Sequence, residues 1–569
     1  MPPSVARGLL NLRNIEIRDC LSMEEVITKE KQQGEGIMTL FPLLEKLELY
    51  TVPKLGHFFL TECTLEIPFL KEVHISDCPE MKTFVQQGIS ASTPSLESVN
   101  NNDEMKVVDL NKAMFSSKVS CPNLEELYIN GATSISALCS HQHPTAYFSK
   151  LERLEVNSCG KLRNLMSPSV ARGALNLRIL NIRDCQSMKE LIDYCPAMET
   201  FVQQGISVST PSLESVNNDD EVKVVDLNKA MFNSKVCCPS LEELLIWGPN
   251  SISSLYSAIS NCLLNKLERL EVKSCGKLRN LMSPSVARGA LNLRILNIGA
   301  CESMKEVITE EEQGEDIITN EPFFPQLEKL ELFRLPKLGH FFLTEHALKF
   351  PFLKKVLICL CPEMKPLVQQ GISVSTPSLE SVNNDDEVKV DDLNKAMFNY
   401  KVSCPNLEYL YICDANSISA LCSHQLPTAY FSKLETLYIM DCGKLRNLMS
   451  PSVARGLLNL RKLDITDCDS MEEAAKAGHF FLTECTLEIP ILRYVLIDYC
   501  PEMKTFVQQG ISVSTPSLES VNNDDEVKID DLNKWTQQRF NSRNKTLLMA
   551  TKSDLVMAEP SDVYESKAS

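Results

Sequence analysis

No stretch of 18 consecutive apolar residues occurs in the 569-residue sequence, which excludes an ordinary membrane-spanning helix. The opening Met1-Pro2-Pro3-Ser4-Val5-Ala6-Arg7-Gly8 lacks the long apolar core of a secretory signal peptide. Basic residues are in deficit: 57 Lys and Arg against 75 Asp and Glu leave a net charge of −18. A protein that lives by phosphate contacts needs a basic face, so nucleic acid is not the expected partner. A phosphate-binding loop is missing too. Gly160-Lys161 and Gly276-Lys277 are followed by leucine and lack the glycine five residues upstream. There is no G-x-S-x-G elbow, no H-E-x-x-H and no C-x-x-C pair. Histidine is scarce, and its one close pair, His141 and His143, is replaced by His424-Gln425-Leu426 in a later copy of the same stretch. These absences point to a non-enzyme with no cofactor and no metal, in the cytosol or nucleus. Cysteine is the exception at 22 residues, but a disulfide scaffold belongs to short secreted chains.

What is abundant is repetition. Cys159 to Ile182 recurs unchanged as Cys275 to Ile298, and Phe201 to Lys223 recurs as Phe506 to Lys528. The marker Ser-Val-Ala-Arg-Gly begins at Ser4, Ser169, Ser285 and Ser452, so the chain holds four tandem blocks rather than four different domains. Inside each block runs a finer pattern, L-x-x-L-x-L-x-x-C/L-x-x-L/M. It starts at Leu12, Leu44, Leu70, Leu124, Leu151, Leu177, Leu241, Leu267, Leu293, Leu327, Leu353, Leu407, Leu434, Leu460 and Leu492. Many successive starts are 26 or 27 residues apart. The two gaps of 54, Leu70 to Leu124 and Leu353 to Leu407, each hold a weak unit, Pro-Ser-Leu-Glu-Ser-Val, at Leu96 and Leu379. The same weak unit recurs at Leu213 and Leu518, giving 15 clear and 4 degenerate units, about 19 in all.

A period of 20–29 residues with this leucine pattern is the leucine-rich-repeat signature. Its L-x-x-L-x-L part alternates like a strand with one buried face, and the buried leucines must stack on neighbouring units to form a core. The expected fold is therefore α/β: a horseshoe solenoid over residues 1–532, with a concave parallel sheet and an irregular or short-helical convex side. About 19 strands at ~4.8 Å spacing would give an inner arc of roughly 90 Å. Ser167-Pro168-Ser169-Val170-Ala171-Arg172 suits a short helix, with Ser to cap and Pro at the first position. Residues 533–569 lose the apolar period and read as a polar, disordered tail.

Ten cysteines fall eight residues after the first repeat leucine, where a small side chain leaves the strand, and their expected role is buried packing. Cys359 and Cys361 are close in sequence, but strand alternation sends one outward and the other inward. Acidic runs such as Asn217-Asn218-Asp219-Asp220-Glu221 read as solvated loops, and the sequon Asn544-Lys545-Thr546 as accidental in a chain with no signal peptide. The hollow of the sheet is the expected working surface. The fourth residue after each repeat leucine points there, and so does the residue two further on. Tyr128, Leu245, Leu357, Tyr411, Tyr438 and Leu496 occupy the first row; Tyr50, Trp247, Phe333 and Met440 occupy the second. Exposed aromatics on a curved surface mark protein-binding sites, although strand propensity alone also favours Tyr and Phe. The expected site is Phe333, Leu357, Tyr411, Tyr438 and Met440, with Tyr128 and Trp247 in earlier blocks, and with Asn383 of the weak unit at Leu379 interrupting the row.

The stretches Phe41 to Phe59, Cys121 to Ile129 and Cys442 to Glu473 also carry a family likeness. The F-P-x-L-E-x-L opening, the arginine-glycine helix and the D-C-x-S-M-E-E turn together resemble the C-terminal repeats of coiled-coil-type nucleotide-binding leucine-rich-repeat plant disease-resistance proteins. The resemblance implies a cytoplasmic recognition module whose partner is a pathogen effector, a guarded host protein or a nucleotide-binding module supplied in trans. The chain itself shows no phosphate loop and no coiled coil, and Met1 already lies inside a repeat, so the nucleotide switch of the family does not carry over. The alternative expectation is a truncated or scaffold leucine-rich-repeat protein, for example a ubiquitin-ligase-type adaptor, with no immune role.

Overall fold

A computed structural model describes residues 1–28, 36–61, 63–86, 113–139, 147–166, 168–188, 230–232, 240–250, 252, 254–256, 265–309, 322–344, 347–369, 396–422, 426–445, 448–449, 451–468, 479–481, 486–500, 505–507, 512–522, 529 and 531–539. The chain forms two compact units, Met1–Leu353 with Gln369–Gly371, and Lys354–Val368 with Ile372–Ser569.

The first unit carries a parallel sheet of ten strands in chain order: Asn14–Arg18, Lys46–Tyr50, Glu72–Ser76, Glu126–Asn130, Arg153–Asn157, Ile179–Arg183, Glu243–Trp247, Arg269–Lys273, Ile295–Gly299 and Lys329–Phe333. In the second unit lie Lys355–Cys359, Tyr409–Cys413, Thr436–Met440, Lys462–Thr466, Tyr494–Asp498 and the two-residue Ser520–Val521. Pairing within each unit puts every strand residue beside its equivalent in the next repeat, as in Leu127↔Leu154 and Leu437↔Leu463. This is the leucine-rich-repeat solenoid, with the second and fourth residues of the five-residue strands buried in its core, except that Ile17 in the first strand is half-buried. A second layer of short parallel ladders closes the core, for example Glu25–Ile27, His57–Leu60 and Thr83–Gln86. Phenylalanines stack along it: Phe58 on Phe84 at 4.8 Å, Phe84 on Phe115 at 5.6 Å, then Phe148 edge-on to Phe115 at 5.7 Å.

Every clear unit supplies a five-residue strand, but the four weak units behave differently. Leu96, Leu213 and Leu379 lie outside the described residues, and the strands on either side pair directly: His74 with Tyr128, Leu180 with Leu244, Leu357 with Tyr411. Among the described residues the weak unit at Leu518 alone adds a strand, giving 16 where 19 units are counted in the sequence.

The four Pro-Ser-Val-Ala-Arg copies do form helices, at Pro3–Gly8, Pro168–Gly173, Pro284–Gly289 and Pro451–Arg455. Proline at the first position supplies the right φ and gives up an N–H that would lack a partner there anyway. The serine half of the expectation fails where it can be seen: Ser283 is extended (φ −78°, ψ 162°) but makes no side-chain cap, and its Oγ lies 3.0 Å from Ser285 Oγ instead. A further correction concerns the tail. Residues 532–539 are helical, because Asp531 Oδ1 accepts from the backbone N–H of Asn533 (3.0 Å) and Lys534 (3.4 Å) and so caps that helix. It also accepts from Val513 N–H at 3.1 Å, tying the helix to the last repeat. The rest of the expected tail lies outside the described residues.

The consensus cysteines show why that position is cysteine. In all ten, the residue just before the cysteine is left-handed, with φ between 47° and 56°. That turn swings the thiol under the strand end, where it donates to the carbonyl two residues back at 3.2–3.4 Å. Nine of the ten are buried and Cys20, in the first repeat, is half-buried. At eight of the ten, that carbonyl already accepts a backbone N–H from the preceding repeat, so a small side chain with one weak donor uses its second lone pair.

Candidate functional site

Strand alternation sends the first, third and fifth residues of each strand to the open face of the sheet, the face that the repeat pattern predicts to be concave. In the first unit that face is largely charged. Its third-residue row includes Glu16, Glu48, Glu155, Glu271 and Glu331, most of them paired with Lys or Arg on the same or a neighbouring strand. Burial works to raise the Glu271 carboxyl, but the hydrogen bonds and charges of Arg269 and Lys273 outweigh it and hold the group below the usual carboxylate range. Trp247 lies between two cations, with the Arg183 guanidinium 4.4 Å and the Lys273 ammonium 4.9 Å from its ring. Tyr128 packs against His74 at 5.8 Å.

In the second unit the same face is aromatic and apolar. Leu357, Tyr411, Tyr438, Asp464 and Leu496 are successive register partners. Tyr438 lies 5.8 Å from Tyr411 and 5.7 Å from Tyr409, so three rings form one surface. The Lys462 ammonium stands 4.8 Å over the Tyr438 ring, and the Tyr411 hydroxyl donates to Met440 Sδ at 3.5 Å. Burial raises the Tyr409 and Tyr411 phenols, which therefore stay neutral and able to donate throughout the physiological range.

The seven expected site residues thus divide. Leu357, Tyr411, Tyr438 and Met440 come together, and more tightly than the sequence implies, because Leu357 pairs directly with Tyr411 and no strand intervenes. The interrupting Asn383 lies outside the described residues. Phe333 belongs to the first unit, where it is 48% exposed. Tyr128 and Trp247 are three strands apart, roughly 14 Å at the usual strand spacing. The sequence reading missed Tyr409, Lys462 and Asp464. The first two are first residues of their strands, and the same period-two rule would have found them.

Asp464 is the unusual member. It is only 8% exposed, and its Oδ1 has no hydrogen-bond partner. Burial raises its carboxyl above the ordinary value, with Lys462 partly offsetting. A carboxyl whose folded pKa is raised holds its proton more tightly in the folded state, so its ionisation destabilises the fold as pH rises through the folded pKa. Asp464→Asn is therefore expected to stabilise the protein by about 1 kcal/mol at pH 7. The gain should disappear below about pH 4, where the unfolded carboxyl is also protonated. Urea melts of both proteins at pH 3.5 and pH 7 check this, and a gap that does not change with pH would refute it.

A continuous parallel ladder with an open side-chain face and a repeat-built core defines a leucine-rich-repeat protein. Among the described residues no helix is long and apolar enough to cross a membrane. The sequence model of plant disease resistance protein RPS2-like leucine-rich repeats matches residues 1–105, 123–276, 257–386 and 406–479. The chain belongs to that family. It is 27% identical over 158 residues to disease resistance protein RRS1 of Arabidopsis thaliana, across 28% of this chain and 11% of that protein. With disease resistance protein RPS5 of the same plant it shares 24% identity over 260 residues, 41% of this chain and 28% of the relative. The chain thus spans about a tenth of the length of RRS1. A solved leucine-rich-repeat protein from Bacteroides ovatus aligns over 84% of this chain and 91% of its own at 10% identity, with a TM-score of 0.19.

Proposed function

We propose that the chain is a non-catalytic recognition region of a plant-defence protein. It binds a protein partner, a pathogen effector or a guarded host protein, in the cytoplasm. The observation that carries this reading is the surface of Tyr409, Tyr411 and Tyr438 with Leu357 and Met440 on the open face of the second unit. Three half-buried rings held rigid by a sheet lose little entropy on binding, and tyrosine is among the commonest carriers of interface energy. The disease-resistance relatives support the setting.

The test is a panel of pathogen effector proteins screened against the full chain by co-immunoprecipitation, with binders titrated against alanine variants. Tyr411→Ala or Tyr438→Ala should weaken binding ~30-fold, about 2 kcal/mol. Phe333→Ala, in the other unit, should not. Melting curves should match the parent, because the core leucines are untouched. Unchanged affinity in both tyrosine variants would place recognition elsewhere.

A further inference from the structure

The fifth residues of three successive strands in the second unit all carry sulfur. Cys359 pairs with Cys413, and Cys413 pairs with Met440. Unlike the consensus cysteines, which turn under the strand end, these side chains lie on the open face. Cys359 is half-exposed and Cys413 is 9% exposed, and neither is in a disulfide. As register partners on neighbouring strands, the two residues stand side by side at about the 4.8 Å strand spacing. The Tyr411 hydroxyl donates to Met440 Sδ at 3.5 Å, holding that sulfur on the open face beside its register partner Cys413. Cys359 and Cys413 are 54 residues apart (413 − 359 = 54), so no sequence spacing reveals the pair.

We propose that Cys359, Cys413 and Met440 form a binding site for Cu(I). Two thiolates and a thioether are a soft donor set, which selects Cu(I) over harder cations. Zinc prefers four donors in a tetrahedron, and among the described residues no group of three His, Cys, Asp or Glu is placed to hold a metal ion. An ion between the sulfurs, at metal–sulfur distances of about 2.3 Å each, spans about 4.6 Å and leaves the ladder undisturbed. Binding releases two protons: Cu⁺ and two thiols give the copper dithiolate and 2 H⁺. Because both thiols must lose their protons to bind the ion, affinity should climb with pH.

The experiment uses the full, reduced chain under anaerobic conditions, titrated with Cu(I) held by bathocuproine disulfonate and followed by the loss of the chelator's colour. The parent should withdraw one more equivalent of Cu(I) than either Cys359→Ser or Cys413→Ser, and Met440→Leu should weaken that equivalent about tenfold. From pH 6 to pH 7 the affinity should rise as much as 100-fold, the two-proton limit. Because other cysteines can also bind copper, the deciding quantity is the difference between parent and variants. Circular dichroism melts confirm that the variants fold, and Cys359→Ala, at a half-exposed position, serves if Cys413→Ser does not. Equal copper stoichiometry in parent and Cys359 variants would overturn the site. Zn(II) displacing the bound Cu(I) at equal concentration would overturn the metal assignment.

Discussion

Gly456→Ala is expected to destabilise the second unit by roughly 3 kcal/mol, whereas Gly289→Ala should change stability by less than ~0.5 kcal/mol. Both glycines follow the same Val-Ala-Arg, yet their surroundings differ. At Gly456 the carbonyl oxygen of Thr428 occupies the place a β carbon would take, and backbone cannot swing aside as a flexible side chain can. At Gly289 nothing lies within 4 Å. The close approach matches a structural difference: the helix before Gly456 stops at Arg455, while its counterpart runs through Gly289. Paired urea melts decide it, and equal effects of the two substitutions would refute the argument.

Phe341→Ala should cost about 4 kcal/mol, within the range for emptying a buried aromatic site. Phe341 is fully buried, edge-on to Phe324 at 6.3 Å and to Phe350 at 6.1 Å, so no neighbour can collapse into the space without losing its own contact. In a solenoid each repeat leans only on its neighbours, so the damage should be local. Amide exchange should speed up in Lys329–Phe333 and His340–Leu343 and stay unchanged in Asn14–Arg18. Uniform loss of protection across the first unit would show that it unfolds as one block.

The repeat core was legible because it depends on local text. Leucine spacing set where strands lie, alternation set which residues face outward, and proline set where helices begin. Competition between repeats was not legible. Pro-Ser-Leu-Glu-Ser-Val stands at Leu96, Leu213, Leu379 and Leu518 alike; the last forms a strand in the sheet, and the first three lie outside the described residues. Beside the first three, the five-residue strands on either side pair directly. At Leu518 no clear unit follows, and the two residues Ser520 and Val521 suffice. The site was legible in the same measure. Tyr411 and Tyr438 follow from the period of two, whereas the unpartnered Asp464 oxygen and the facing Cys359 and Cys413 depend on which strands are neighbours.

Direct pairing across the weak units also has an entropic meaning. Paired residues are 26 positions apart between Leu244 and Leu270, but 64 apart between Leu180 and Leu244 (244 − 180 = 64). Loop-closure entropy grows only as the logarithm of length, so joining strands 64 rather than 26 residues apart adds about 0.8 kcal/mol. A whole repeat's length of sequence can therefore be gained or lost between two strands at less than the stability of one buried leucine, and the ladder does not change register. On this arithmetic, sequence can lengthen, shorten and diversify between two strands of a solenoid at little cost to the ladder beside it.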